Sequence, residues 1–462
     1  MGGDPLKSGQ PAGNEPHTCL VDRAFDLIDL HDSDPSRYPH LLQSTAHGRY
    51  DILFACPEES LVLDARGLHG PGSGQADFLA GFDAWWSGLQ TSPPATTSLP
   101  FRGGWFVYLG YELAEQIEPS LSLPRPGGQL PVALATRFPC AIIRDHEQET
   151  TTIITEPGYA GRIPDIEADI AGLSEAGNAA AGALELESID EAPPAQYLDA
   201  VRRIHEYIRQ GDVFQVNLSR RWTVNCRDPV RAQVLYKRLR RHNPSPYSGL
   251  ARFGELAVIR SSPERLVRVQ GNRVETRPIA GTRPRSLARA DDEAFSRELL
   301  SHPKERAEHI MLIDLERNDL GRVCRPGTVQ VDEFMVLESY AHVHHIVSNV
   351  RGELRADVTP GDVIRAVFPG GTITGCPKVR CMEIIAELEQ EPRDAYTGSM
   401  GYINRDGSMD LNILIRSMQV SGNTVQLRAG AGIVADSVPE AELEETRAKA
   451  RGLLRALGIN TD

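Results

Sequence analysis

Between Glu255 and Gly281 three short runs follow one another: ELAVIRSS, ERLVRVQ and RVETRPIAG. Each is rich in β-branched residues and too short for an ordinary helix. A Gly271-Asn272 pair joins the last two, the signature of a tight hairpin turn. A chain that turns back on itself so quickly can only build antiparallel pairs, because parallel strands need long crossovers. Similar runs occur earlier: YDILFAC, SLVLDAR, GGWFVYLGYEL, CAIIRD and TTIIT. One helix-like segment, Gln75 to Leu89, lies among them, with Phe78, Phe82, Trp85 and Trp86 on one face as core packing. From Pro194 onward helix and strand alternate. The segment Pro194 to Gln210 sets Leu198, Val201, Ile204 and Ile208 on one face and is stopped by Gly211. GDVFQVNLSRRWTV reads as a strand, and a helix carrying Val234, Leu235 and Leu239 comes next. The pattern predicts an α+β fold of layered, mostly antiparallel sheets rather than a doubly wound one.

Length sets the scale of this fold, since 462 residues correspond to roughly three units of about 150 residues. Residues 1–18 are polar and Gly/Pro-rich and read as a disordered tail. Residues 19–167 form an N-terminal region, 168–193 an Ala/Gly/Glu-rich linker, and 194–462 a second region. The net charge of −14 argues against nucleic acid or an anionic membrane as a general partner. No apolar run is long enough to span a bilayer, and the polar N-terminus lacks a signal peptide. A Met-Gly start is present, but Leu6 stands where a myristoylation signal wants Ser or Thr. Seven cysteines without a CxxC pair read as reduced thiols of a cytoplasmic protein.

Five stretches could carry chemistry. In Thr276 to Arg285, TRPIAGTRPR, Gly281 lets a backbone N–H approach a ligand and Thr282 adds a hydroxyl. Arg277, Arg283 and Arg285 make those surroundings cationic, which suits a small carboxylate; an ordinary turn is the alternative. Two acidic helices form the second. One starts at Ser301-His302-Pro303 and carries Glu305 and Glu308; the other starts at Ser437-Val438-Pro439 and carries Glu442 and Glu445, with Lys449 one turn on. Brought together, those carboxylates would suit Mg²⁺; apart, they are two solvated faces with i,i+4 ion pairs. Third, FPGGTITGCPK, Phe368 to Lys378, spaces its glycines like a phosphate loop but lacks the Lys-Ser/Thr ending, so a nucleotide site is rejected. A carboxylate-facing loop or a plain helix entry remains. Fourth, Glu264 follows Ser261-Ser262-Pro263 and could act as a general acid, although a strand-end glutamate is usually solvated. The histidines of YAHVHHIVSNV, His342, His344 and His345, cannot all face one way in a strand and make no natural metal site. Fifth, in GAGIVADS, Gly430 and Gly432 flank Ala431 just before the second acidic helix, where a glycine-rich turn is the plain reading.

Together these segments resemble the chorismate-utilising enzyme family, from about Cys19 to the C-terminus and most closely after Pro194. The agreement runs in order through GDVFQVNLSRR, SSPERLV, RPIAGTRPR, EHIMLIDLERNDLGRV, HHIVSNV, FPGGTITGCPKVR, YTGSMGY and GAGIVADS. The resemblance implies a large two-layer α/β sandwich of the anthranilate synthase component I type, with the active site between the layers. It implies Mg²⁺ held directly by Glu308 and Glu445, with Glu305 and Glu442 acting through water. Tyr396, Arg416, Lys449 and the backbone near Gly430 to Gly432 match groups around the enolpyruvyl carboxylate. Glu264 matches the general acid for the carbon-four hydroxyl, and His345 and Thr282 match residues lining the ring.

Gln215 is set apart, because relatives that add water carry a lysine base there and a glutamine cannot take a proton. The resemblance therefore implies ammonia as nucleophile, and it leaves two branches, the anthranilate and the aminodeoxychorismate synthases. Ala280 is like the former, since typical aminodeoxychorismate enzymes have a lysine there. Asn217 in QVNL, His344 before His345, and GGTITGCPKVRCMEII are like the latter. Leu41-Leu42-Gln43-Ser44 lacks the carboxylate of the LLES-like motif in the anthranilate enzyme's tryptophan pocket. A route with two ammonia molecules in succession, used by an alanine-bearing subclass, reconciles these features and places the chain in the aminodeoxychorismate branch. No GxCxG nucleophile turn is present, so a separate glutamine amidotransferase subunit is implied as partner. A non-catalytic chorismate-binding regulatory subunit is the remaining alternative.

Overall fold

Gly-Asn punctuation, at Gly271-Asn272 and Gly422-Asn423, does produce hairpins, and the strands assemble into two large sheets. In the computed structural model, residues 15–460 are described apart from 47, 94–96, 126, 128–129, 174–183, 285–296, 300–302 and 340–342. One sheet has twelve strands and the other eleven, and every described pairing is antiparallel. In the first, the order runs from His17–Val21 through Thr150–Thr155, Cys140–Asp145, Tyr50–Ala55 and His40–Gln43 to Tyr247–Phe253. It continues through Leu256–Ser262, Ser417–Ser421, Thr424–Ile433 and Gln215–Cys226 to Leu186–Glu191. The second begins with Ile279–Pro284 and Val343–Glu353 and ends with Ser60–Asp64 and Gly67–His69. Both sheets thus mix strands from before and after residue 194, so the chain does not separate into successive units along its length.

Alternation of side chains explains the layering. Phe54, Ile143, Ala251 and Val258 of the first sheet meet Phe106, Tyr108, Phe138 and Met400 of the second in a shared core. Helices cover the outer faces. Ala232–His242 and the end of Pro439–Ala456 pack on the first sheet through Leu235, Leu239, Leu453 and Leu454. Phe78–Leu89, Pro303–Gly321 and Pro360–Val367 cover the second through Phe82, Trp86, Ile313 and Ile364.

Several expectations are corrected. The strand His17–Val21 takes in His17 and Thr18 of the expected tail; residues 1–14 lie outside the described residues. Within the expected linker, the helix Ile163–Gly172 runs past residue 168, and Leu186–Glu191 is an edge strand on Gln215–Cys226. Its acidic and exposed side chains, with Ile189 at 45% exposure, hide the usual strand signal. TRPIAGTRPR is no loop: Ile279–Pro284 pairs with Val343–Glu353, with a bulge between Ala280 and Thr282. Gly281 sits in that bulge at φ +70°, which a side chain rarely tolerates. Arg285, Ser301, His302 and His342, and the side chains of Thr282, Arg283 and Pro303, lie outside the described residues.

Candidate active site

The site is built on the pair Gln215–Cys226 and Thr424–Ile433, where Asn217 opposes Gly432 and Ser219 opposes Gly430. Gln215, Asn217 and Ser219 alternate onto one face, and the two glycines share it. Both glycines are required by close neighbours. A Cβ on Gly430 would lie 2.6 Å from Leu218 O, 2.9 Å from Tyr396 Oη and 3.0 Å from Asn217 Oδ1. On Gly432 it would lie 2.2 Å from Gln215 Nε2 and 3.5 Å from Glu308 Oε1.

The acidic helices reach this same strand. Gln215 Nε2 donates to Glu308 Oε1 at 3.1 Å, beside Gly432. Lys449 Nζ donates to Gly430 O at 3.0 Å and pairs with Glu445 at 2.6 Å. Glu308 and Glu445, 137 positions apart in the sequence, therefore approach one three-residue stretch rather than opposite exteriors. Glu442 is buried at 8% exposure, and its charge adds to burial in raising the Tyr197 phenol. Glu305 lies at the bulge, its Oε2 2.8 Å from where a Gly281 Cβ would be. Among the described residues no three acidic, imidazole or thiol groups form a metal cage. Glu308 and Glu445, brought to one stretch, are nonetheless a donor set of the kind that suits Mg²⁺, which seldom takes an all-protein cage.

Glu264 is buried, against the usual fate of a strand-end glutamate, at 6% exposure. Burial pushes its carboxyl up to about 7, while the Thr372 hydroxyl, donating at 2.6 Å, and the charges of Arg416 and Lys449 pull it back. It therefore holds a proton close to neutral pH, as a general acid must. His345, 7% exposed, donates its Nδ1–H to Gly281 O across 3.4 Å, and burial lowers its imidazole to about 4. It is neutral at pH 7. Ala280 is buried opposite Ile346, and Thr282 opposes His345 in the ladder. Tyr396 is buried, which raises its phenol and keeps the hydroxyl protonated. Arg416, in the left-handed region at φ +51°, lies near enough to Tyr396, Glu445 and Glu264 to feel their charges.

Arg277 does not serve the site as expected. Its guanidinium is taken by Glu333 at 2.6 Å and Glu338 at 2.5 Å. The glycines of FPGGTITGCPK serve close packing instead of a phosphate. Gly375, at φ +127°, lies against Gln215 O, where a Cβ would come within 2.1 Å. Sequence reasoning missed Thr372 as the partner of Glu264, 108 positions away. It also missed the buried cluster beneath the site. Glu389 pairs with Arg393 at 2.6 Å and Arg428 at 2.9 Å, and Arg393 donates to Asn217 O and lies 5.6 Å over the Tyr396 ring. Glu389 and Arg393 stand four apart in the sequence, but nothing local announces Arg428 and Asn217 as their partners.

A cavity of about 780 Å³ lies between the sheets beside this site, lined in part by Gln43, Ser44, Arg260 and Tyr402. None of Glu264, Glu305, Glu308, Glu442 and Glu445 lines it, and so it is a neighbour of the chemistry and not its seat. Gln43, in the LLQS stretch, donates to Asp51 at 3.0 Å and accepts from Tyr236 at 2.8 Å.

Residues 38–455 match the model of the chorismate binding enzyme family. Aminodeoxychorismate synthase component 1 of Bacillus subtilis is 41% identical over 443 residues, which is 92% of this chain and 93% of that protein. An anthranilate synthase component I-like protein of Synechocystis is 43% identical over 360 residues, 78% of this chain and 73% of the relative. The crystal structure of anthranilate synthase component I from Streptococcus pneumoniae superposes with a TM-score of 0.77 at 32% identity, covering 88% of this chain and 92% of that one.

Proposed function

The chain belongs to the chorismate binding enzyme family, and from that premise we propose that it is the component I of an aminodeoxychorismate synthase. In this reading it converts chorismate and ammonia to 4-amino-4-deoxychorismate, on the way to para-aminobenzoate and folate. A partner glutamine amidotransferase supplies the ammonia. The observation that carries the reading is Gln215. Its amide stands at the head of the site strand, hydrogen-bonded to Glu308, where a water-adding enzyme needs a base. An amide cannot accept a proton at neutral pH, so the nucleophile must arrive with its own free lone pair. The near end-to-end likeness to the Bacillus subtilis enzyme supports the aminodeoxychorismate branch.

Each side chain has a part in this reading. Arg416, Lys449 and Tyr396 hold the enolpyruvyl carboxylate by charge and a phenolic donor. Glu264 gives its proton to the carbon-four hydroxyl as that bond breaks, so water leaves instead of hydroxide. Neutral His345 and the Ala280–Thr282 bulge shape the ring pocket. Held between Glu308 and Glu445, with Glu305 and Glu442 acting through water, Mg²⁺ would bind the ring carboxylate and draw off charge. Without a lysine at Ala280, a first ammonia adds at carbon two as water leaves carbon four. A second then bonds to carbon four and the first leaves from carbon two as ammonia.

Anthranilate synthase is the second reading, favoured by Ala280 and by the Synechocystis and Streptococcus relatives. Incubating the chain with chorismate, ammonium and Mg²⁺ decides between them by product mass and fluorescence. The proposal expects a non-fluorescent amino product. Fluorescent anthranilate would refute it, and chorismate binding without turnover would favour a regulatory subunit.

A further inference from the structure

Tyr50–Ala55 and Cys140–Asp145 lie side by side in the first sheet, and Ala55 and Cys140 are partners at the same end of their ladder. Cys56 is the next residue. In a continued strand its side chain would turn away from Cys140. Instead its φ is +59°, in the left-handed region, and its backbone N–H donates to Arg37 O at 2.9 Å. The thiol comes round to meet that of Cys140, and both residues pack in one apolar cluster. Strand spacing and rise put their Cα atoms roughly 6 Å apart. A disulfide spans about 4.4–6.8 Å between Cα atoms, so the pair can be bridged where it stands.

The two thiols are not equivalent. Cys140 is 1% exposed, whereas Cys56 is half-buried. The Cys140 thiol donates to Cys56, and the Arg37 guanidinium lies against it with Arg162 nearby, which together hold the Cys56 thiol well below its ordinary range. Arg37 is itself fixed by Asp169 at 2.8 Å and Asp165 at 3.3 Å. As the donor to that sulfur, and by burial, Cys140 is held far above the ordinary range. No other cysteine combines these features. Cys226, Cys324 and Cys381 are buried. Cys19 and Cys376 are half-buried, but the bond to Glu167 raises the first thiol and burial raises the second. An accessible thiolate beside a cation, with a second thiol against it, is the arrangement of a peroxide-sensing pair.

We propose that Cys56 and Cys140 form a modification site for hydrogen peroxide, with Cys56 the attacking sulfur and Cys140 the resolving one. The Cys56 thiolate bonds to one peroxide oxygen as the O–O bond breaks. Cys56 becomes a sulfenic acid, and the other oxygen leaves as hydroxide and takes up a proton to become water. The Cys140 sulfur then gives up its proton and bonds to Cys56, expelling the hydroxyl as a second water. Two thiols are oxidised to one disulfide and one peroxide is reduced to two waters. A dithiol, oxidised in its turn, restores the pair.

The test exposes the reduced full chain to a small excess of hydrogen peroxide, blocks free thiols with N-ethylmaleimide and maps the peptides by mass. One disulfide, Cys56 to Cys140, should form, with the other cysteines alkylated, and dithiothreitol should reverse it. Cys140→Ala should stop at a sulfenic acid on Cys56, trapped by dimedone. Cys56→Ser should leave Cys140 reduced. With a slow alkylating reagent and no peroxide, the Cys56 rate should change by less than about twofold between pH 7 and pH 8, because it is already a thiolate. Cys19 and Cys376 should gain about tenfold over the same step. The mapping and the alkylation profile need no variant, so a substitution that fails to fold does not remove the test. A disulfide elsewhere, no disulfide at all, or a Cys56 rate that climbs about tenfold with the others overturns the inference.

Discussion

Thr372 donates its hydroxyl to Glu264 across 2.6 Å, and this bond favours the ionised form of a carboxyl that burial otherwise keeps protonated. A general acid works only while it carries its proton. Glu264 titrates at about 7, so kcat/KM should be high below that pH and fall as pH rises through it. In Thr372→Val the ionised form loses a donor, so the falling limb should move up by on the order of one unit. Glu264→Gln should lower kcat by about 100-fold or more at pH 7. A limb that does not move in Thr372→Val would separate Glu264 from the profile.

Gly430 and Gly432 should answer differently to the same methyl group. At Gly430 an added Cβ meets the backbone oxygen of Leu218 at 2.6 Å, which cannot move without breaking the ladder. At Gly432 the obstacle is the far end of the Gln215 side chain, which can swing aside. Gly430→Ala should therefore lower the melting temperature and the activity together. Gly432→Ala should fold nearly as well as wild type yet lose most activity, because Gln215 is displaced from Glu308. Thermal unfolding set against kcat/KM distinguishes the two, and equal melting losses would count against this account.

Much of this architecture was legible because local signals agreed with the global fold. Pro194–Gln210 has its predicted ends, with Gly211 left-handed at φ +83° beyond its last turn. Leu256–Ser262 and Arg265–Gln270 follow their β-branched runs closely. The bulge at Gly281 was not legible, because a glycine among basic residues reads equally as a turn. Leu186–Glu191 was hidden by its polar composition. Glu264 is the sharpest case. Its identity was visible, but its burial depends on Thr372 and on the packing of both sheets, and a strand-end carboxylate carries no mark of either.

Glu389 holds two guanidinium groups in a space almost without water, its side chain 2% exposed against 1% for Arg393 and 6% for Arg428. Removing one member of such a set strands the rest in low dielectric. Arg393→Met should cost about 3–5 kcal/mol in denaturant unfolding. Arg393→Lys should rescue little, because a single ammonium cannot reproduce bonds to Glu389, Asn217 O, Ile373 O and Thr397 together. A lysine variant as stable as wild type would show that charge alone, without the planar fork, holds the cluster.

Mg²⁺ should raise the melting temperature of the wild-type chain, since a ligand that binds only the folded state stabilises it by mass action. Glu308→Ala and Glu445→Ala should abolish the shift. Glu442→Gln, altering a group placed to act through water, should weaken apparent affinity by about 10–100-fold without abolishing it. Adding a chelator should remove turnover and the shift together. A shift that survives in the Glu308→Ala, Glu445→Ala double variant would place the ion elsewhere.

Ala280 decides how the amine reaches carbon four. Its methyl group is buried beside the Gly281 bulge and has no nitrogen to occupy carbon two temporarily. If free ammonia takes that part, two molecules must act in each turnover although only one is retained. At low ammonium the first addition can revert before a second ammonia arrives, so the initial rate should climb more steeply than the first power of concentration. It should become first order and then saturate as the second step outruns the reversal. Quenching at low ammonium should reveal an isomer of the product, equal in mass, with its amine on carbon two. A strictly first-order dependence with no such isomer would mean that ammonia attacks carbon four directly and that Ala280 leaves no step to replace.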